Sequence, residues 1–272
     1  MLGKLFAHEM RALAKPAGIM LGIMLLAGII GIVGFTMADV MSDGFTYSSS
    51  PLASNGYIML FMVTAFCGFV VWAGAVALFV FIVMRFYRTM FTDEGYLTLT
   101  LPVSTGALVA AKFLAAYLLM TVAALLAIAL HSGMLGVLDS GGSMAATTMI
   151  LSLLSGTFGI TSSSEVASVA LGTLSMLVGI GYNVALAFGS LTLGAWWARR
   201  HKVAAAVGVY VGISWLLSLV FSIVSVIVAL GGMGAVGALG AVTVLQTLLY
   251  AAIAVGFILL TGYLVRTKVD LS

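Results

Sequence analysis

The chain has 272 residues, 63% hydrophobic and only 7% charged, with a formal net charge of +3. A soluble domain carries about 25% charged residues, so this composition excludes a water-soluble globular fold and predicts an all-α integral membrane protein. The lone Cys67 excludes a disulfide framework or a cysteine metal cluster, and the 11 Lys and Arg lie in small scattered groups, which argues against a nucleic-acid partner.

The N-terminal stretch 1–16, "MLGKLFAHEMRALAKP", reads as an amphipathic helix lying in the membrane interface. Leu2, Leu5, Phe6, Met10 and Leu13 fall near one face, with Lys4, His8, Glu9, Arg11 and Lys15 mostly on the other. Pro16 marks a bend into the first membrane span. Apolar runs then predict spans at 17–38, 57–84, 107–130, 168–197, 203–230 and 243–265. The runs lack the alternation of barrel strands, and backbone exposed to lipid must satisfy its own hydrogen bonds, so each is a helix. The small-residue patterns Gly18/Gly22, Gly181/Ala185/Gly189 and Gly208/Gly212 predict close helix packing, within one chain or between copies. The Gly-rich stretch 230–242 reads as a connection that dips back into the outer leaflet. Residues 139–167 form a longer outer loop with an apolar core, "MILSLL".

Charge sets the expected orientation. Lys4, Arg11 and Lys15 precede the first span; Arg85, Arg88 and Lys112 flank the second connection; Arg199, Arg200 and Lys202 fill the fourth; Arg266 and Lys268 follow the last span. The connections 39–56, 131–167 and 231–242 contain no Lys or Arg. The positive-inside rule therefore predicts six spans with both termini cytoplasmic, in one transmembrane domain covering 1–272. Trp196 and Trp197, beside Arg199, read as an interfacial anchor.

The most polar stretch is "RFYRTMFTDEGYLTLTLPVSTGALVAAKF", 85–113, on the cytoplasmic side of this topology. It resembles the segment between the second and third spans of type-2 ABC exporter permeases. In that family an acidic residue precedes a Gly, an apolar/Thr stretch, "LPVS", and a Lys that opens the third span. Here these are Asp93, Glu94, Gly95, Tyr96, Leu97, Leu99, Leu101, Pro102, Val103, Ser104 and Lys112; Thr105 stands where such proteins often carry a basic residue. The resemblance implies that 85–106 is a coupling segment, with Asp93 through Pro102 docking on a separate ATPase that holds ATP and Mg. It also implies a second permease subunit, as a homo- or heterodimer in a bacterial plasma membrane. Asp93 and Glu94 would pair with basic residues of the ATPase or with Arg85 and Arg88. Pro102 would bend or end the element, and Ser104 would cap the third helix.

The chain has no G-x-x-x-x-G-K-[ST] motif, so it is expected to be no enzyme itself, with no catalytic residue, metal or cofactor of its own. His131 stands alone at an outer helix end and forms no dyad with Ser132. None of the eight Asp and Glu falls at the centre of a span, which argues against an ion-driven carrier. Tyr182, Asn183, Ser214 and Ser218 are the notable polar residues within spans; they line a translocation path or join helices. Together these features predict the transmembrane subunit of an ATP-driven exporter, moving an apolar or amphipathic substrate such as an antimicrobial peptide, lipid or drug outward through the bilayer. The alternative is a membrane scaffold or sensor that recruits a cytoplasmic partner without transport.

Overall fold

The computed structural model describes residues 2–45, 51–92, 104–136, 165–197, 201–230 and 235–267. Six α-helices account for nearly all of them: α1 (Leu2–Phe45), α2 (Pro51–Phe91), α3 (Thr105–Gly136), α4 (Glu165–Trp197), α5 (Lys202–Leu230) and α6 (Ala235–Thr267). Each contains a stretch long and apolar enough to cross a membrane. The protein is a multi-pass, all-helical membrane protein, and each of the six expected apolar runs lies inside one helix.

The helices are longer than the apolar runs, which changes three local expectations. α1 continues without a break through Pro16, so residues 1–16 are not a separate helix. Proline removes one backbone bond, here to the Ala12 carbonyl, but ending the helix in apolar surroundings would strand several more polar groups. The connection expected at 39–56 is mostly helical, since α1 runs to Phe45 and α2 begins at Pro51. The Gly-rich stretch 230–242 is likewise helical from Ala235 onward. Of the loop expected at 139–167 on the outer side, residues 139–164, including "MILSLL", lie outside the described residues.

Backbone bonds mark the start of two helices. The Ser104 carbonyl accepts the first intrahelical bond of α3, from the Leu108 N–H at 3.2 Å, which puts Ser104 at the N-cap position. His201 does the same for α5, accepting from the Ala205 N–H at 3.0 Å. Inside the helices, buried hydroxyls bond to carbonyls of their own helix, as lipid requires. Thr64, Ser190, Thr192 and Thr261 donate to Leu60, Ala187, Gly189 and Phe257 at 2.7–2.9 Å.

Internal contacts divide the chain into two compact units. One comprises Leu13–Val80 and Leu119–Leu153. Its core joins Met24 and Ala27 of α1, Val71 of α2, and Ala127 and Leu130 of α3. Close approach is built on missing side chains: a Cβ at Gly74 would stand 2.5 Å from Met24 Cγ. Within this unit His131 is not alone. Its Nε2 accepts from the Trp72 indole N–H at 3.0 Å, so its other nitrogen carries the proton in the neutral ring.

The other unit comprises Met1–Ala12, Phe81–Leu118 and Leu154–Ser272. The division of α1 falls after Ala12, the residue whose carbonyl lacks the Pro16 N–H. In this unit Phe86 of α2 stacks on Phe188 of α4, with ring centroids 3.9 Å apart and planes at 7°. α4 is the central element: Tyr182, Val184, Ala185, Leu186, Ala187, Phe188, Ser190, Leu191 and Thr192 are all buried. α5 is peripheral, and only Ala206 and Phe221 of its described residues are buried.

The small-residue patterns therefore differ in use. Added methyls at Gly18, Gly22, Gly208 and Gly212 would meet nothing, whereas one at Gly189 would run into the Phe257 ring. Gly189→Ala is expected to lower stability by about 1–3 kcal/mol by overpacking α4 against α6. Gly208→Ala should change it by no more than about 0.5 kcal/mol. Unfolding of the purified variants in mixed micelles checks this; equal stability of the two would refute the packing role of Gly189.

Candidate functional site

The unit containing Met1–Ala12 and Phe81–Leu118 carries a compact polar cluster drawn from three helices. Its centre is Lys112, in the second turn of α3, whose side chain is only 5% exposed. The ammonium donates to Glu9 Oε1 of α1 at 2.5 Å and to the Thr89 hydroxyl of α2 at 3.1 Å. Thr89 in turn donates to the Arg85 carbonyl at 3.0 Å, so its oxygen is oriented to receive the lysine. Glu9 is itself mostly buried, with 13% of its side chain exposed, and its second oxygen lies 3.8 Å from an Arg85 nitrogen.

These positions follow from helical periodicity. Leu5, Glu9, Leu13 and Ala17 recur every fourth residue, and all are buried or half-buried. Lys4, His8, Arg11 and Lys15 are exposed, as expected for the polar face. Glu9 departs from the expected partition: it sits on the inward stripe, not with the exposed bases. The signal was an acid in register with apolar neighbours. On α3, Lys112 shares a face with Leu108 and Ala115, both buried, so it too is carried inward. Burying either charge alone is expensive, and each is tolerated because the other is there.

The cluster brackets the segment that carries the family resemblance. Arg85, Arg88 and Thr89 occupy the last two turns of α2, and Thr92 closes that helix by donating to the Arg88 carbonyl. Ser104 and Lys112 open α3 on the other side. Asp93, Glu94, Gly95, Tyr96, Leu97, Leu99, Leu101 and Pro102 lie outside the described residues. Among the described residues Arg85 has a carboxylate partner in Glu9, a residue that the sequence reading placed elsewhere.

The polar residues within the spans sit where α4 meets α5 and α6. The Tyr182 ring, 4% exposed, stacks on Tyr250 of α6 with centroids 4.3 Å apart, and Phe221 of α5 meets Tyr250 edge-on. Gln246 donates to the Tyr250 hydroxyl at 3.1 Å. Asn183 donates to the Gly179 carbonyl at 2.8 Å and accepts from the Tyr210 hydroxyl of α5 at 3.1 Å. Ser175 of α4 and Thr247 of α6 lie 2.9 Å apart. Both also reach carbonyls of their own helices, so one of the two must release its carbonyl to donate across. Tyr182 and Asn183 thus both make contacts between helices. The Ser214 and Tyr182 hydroxyls are both buried and are neighbours, and Ser218 is exposed.

Among the described residues no group of His, Cys, Asp and Glu could hold a metal ion. A comparison of the chain with protein families, curated proteins and solved structures finds no match in any of the three.

Proposed function

We propose that this chain is the transmembrane subunit of an ATP-driven exporter of the type-2 ABC permease kind. In this reading a separate ATPase, which holds ATP and Mg, docks on residues 85–106 and drives the permease, with both termini on the ATPase side of a bacterial plasma membrane. The observation that carries the proposal is the Glu9–Lys112 ion pair with Thr89 and Arg85 around it. It braces the N-terminal segment of α1 against the two helix ends from which residues 93–103 hang. A force applied to that segment would reach helix ends already tied together, because separating a buried ion pair leaves an uncompensated charge on each side.

Two further features support the reading. None of the eight Asp and Glu stands at the centre of a span, where ion-driven carriers usually keep such groups, and energy from outside is the natural complement. α5 exposes Trp215, Leu216 and Ser218 along with the open Gly208 and Gly212, a surface suited to a second permease subunit. An apolar or amphipathic substrate fits the uncharged span interiors, with Tyr182, Asn183, Ser214 and Ser218 as the groups that would meet its polar part.

The test is reconstitution. Purified alone in lipid, the chain should hydrolyse no ATP above background. With its ATPase it should form a complex containing two permease subunits that exports substrate on ATP addition. Transport by the chain in vesicles lacking any nucleotide-binding subunit would overturn the proposal.

A further inference from the structure

Arg85 has a role left over after the brace is accounted for. Only one carboxylate, Glu9, lies within ion-pair distance of it among the described residues, at 3.8 Å, and Lys112 holds that carboxylate at 2.5 Å. Among the described residues one anion therefore serves two cations, Lys112 and Arg85. The Arg85 Nε is buried and has no hydrogen-bond partner. A guanidinium left so is costly unless something else supplies an acceptor.

The surroundings indicate what does. Phe81, Met84, Arg85, Arg88 and Thr89 line a groove of about 250 Å³. The first four stand at i, i+3, i+4 and i+7, a single stripe on α2. The stripe changes character along its length. Phe81 and Met84 lie toward the middle of the span and are apolar; Arg85 and Arg88 lie in its last two turns and are cationic. An apolar channel that ends in two arginines at a membrane boundary has the layout of a lipid molecule in negative. A phosphodiester offers two oxygens that match the planar guanidinium fork.

We propose that this groove binds an anionic glycerophospholipid, its phosphate on Arg85 and Arg88 and an acyl chain along Phe81 and Met84. The groove shares Arg85, Arg88 and Thr89 with the start of the segment proposed to dock an ATPase, but a lipid bound there needs no ATPase. Net headgroup charge decides the occupant: among the described residues Glu9 faces two cations, Lys112 and Arg85, which favours an anionic headgroup and repels a choline ammonium. Bound phosphate would pair with the Arg85 side chain, which is 29% exposed, and leave Glu9 to Lys112.

The experiment uses the full chain in mixed micelles and three probes: phosphatidylglycerol, phosphatidylcholine of the same acyl chains, and inorganic phosphate. Lipid retained through native mass spectrometry and the midpoint of thermal unfolding are both read. Phosphatidylglycerol should be retained at one molecule per chain and raise the midpoint, and the other two probes should do neither. Arg85→Gln and Arg88→Gln should each weaken phosphatidylglycerol retention by roughly tenfold, the loss expected for one charge-assisted contact. Arg266→Gln, at the end of α6, should leave it unchanged. Arg88 is exposed, so its variant carries the test if Arg85→Gln folds poorly. Equal retention of the two lipids, unchanged retention in Arg88→Gln, or full protection by inorganic phosphate alone would each overturn the assignment.

Discussion

Lys112→Met is expected to lower stability by about 3–5 kcal/mol, the range for breaking a buried ion pair from one side. Methionine matches lysine in length and fills the same space, so the loss is not one of packing. The Glu9 carboxylate would stay buried, with its nearest described cation 3.8 Å away in Arg85, and Thr89 would lose its donor. Glu9→Gln should also be damaging, because it leaves the ammonium, 5% exposed, with a neutral partner. The double variant Glu9→Gln/Lys112→Met removes both charges together and should recover much of the loss. The four proteins form a double-mutant cycle, and their unfolding in mixed micelles should give a coupling of about 2 kcal/mol or more. Additive effects would show that the two side chains do not depend on each other. The same variants bear on function: if the pair braces the helix ends, Glu9→Gln should uncouple ATP hydrolysis from export even where folded protein reaches the membrane.

The second large effect falls on the segment between α2 and α3. Asp93→Lys with Glu94→Lys should abolish co-purification of the ATPase while leaving membrane insertion near normal. Exposed ion pairs contribute only about 0–1 kcal/mol each. Reversing charge at a docked surface replaces attraction by repulsion, however, and can cost several kcal/mol, on the order of a hundredfold or more in affinity. Leu97→Asp should act by another route, placing a charge where an apolar contact with the ATPase is expected. Asp43→Lys, on the expected outer side, is the control and should leave coupling intact. If both changes at 93–97 retained full ATPase binding and export, the coupling role of 85–106 would be refuted. Loss of binding here with normal phosphatidylglycerol retention would separate ATPase docking from the lipid groove.

What the sequence alone determined was the number, type and approximate place of the membrane helices. A bilayer demands about 20 apolar residues per crossing and internal satisfaction of every backbone group, and both demands are written locally. The six apolar runs are therefore legible, and Ser104 could be placed at a helix start from its neighbours alone. Helix ends were less legible, since hydropathy marks where lipid is and hydrogen bonding does not stop there. α1 accordingly runs from Leu2 through Pro16 to Phe45, and α6 starts well before its apolar run, at Ala235. Tertiary structure alone decided which polar residues meet. Glu9 and Lys112 are 103 residues apart and Trp72 and His131 are 59 apart, separations at which no local pattern identifies a partner. It also decided which small residues pack: Gly189 lies under Phe257, while Gly208 and Gly212, with the same spacing rule, face open space. Small-residue spacing shows only that close approach is allowed, and a facing side chain must be present for it to be used. The inward turn of Glu9 had a trace in the sequence, its register with Leu5 and Leu13. That trace became interpretable only when Lys112 was found opposite, because a buried carboxylate makes physical sense only beside the charge that compensates it.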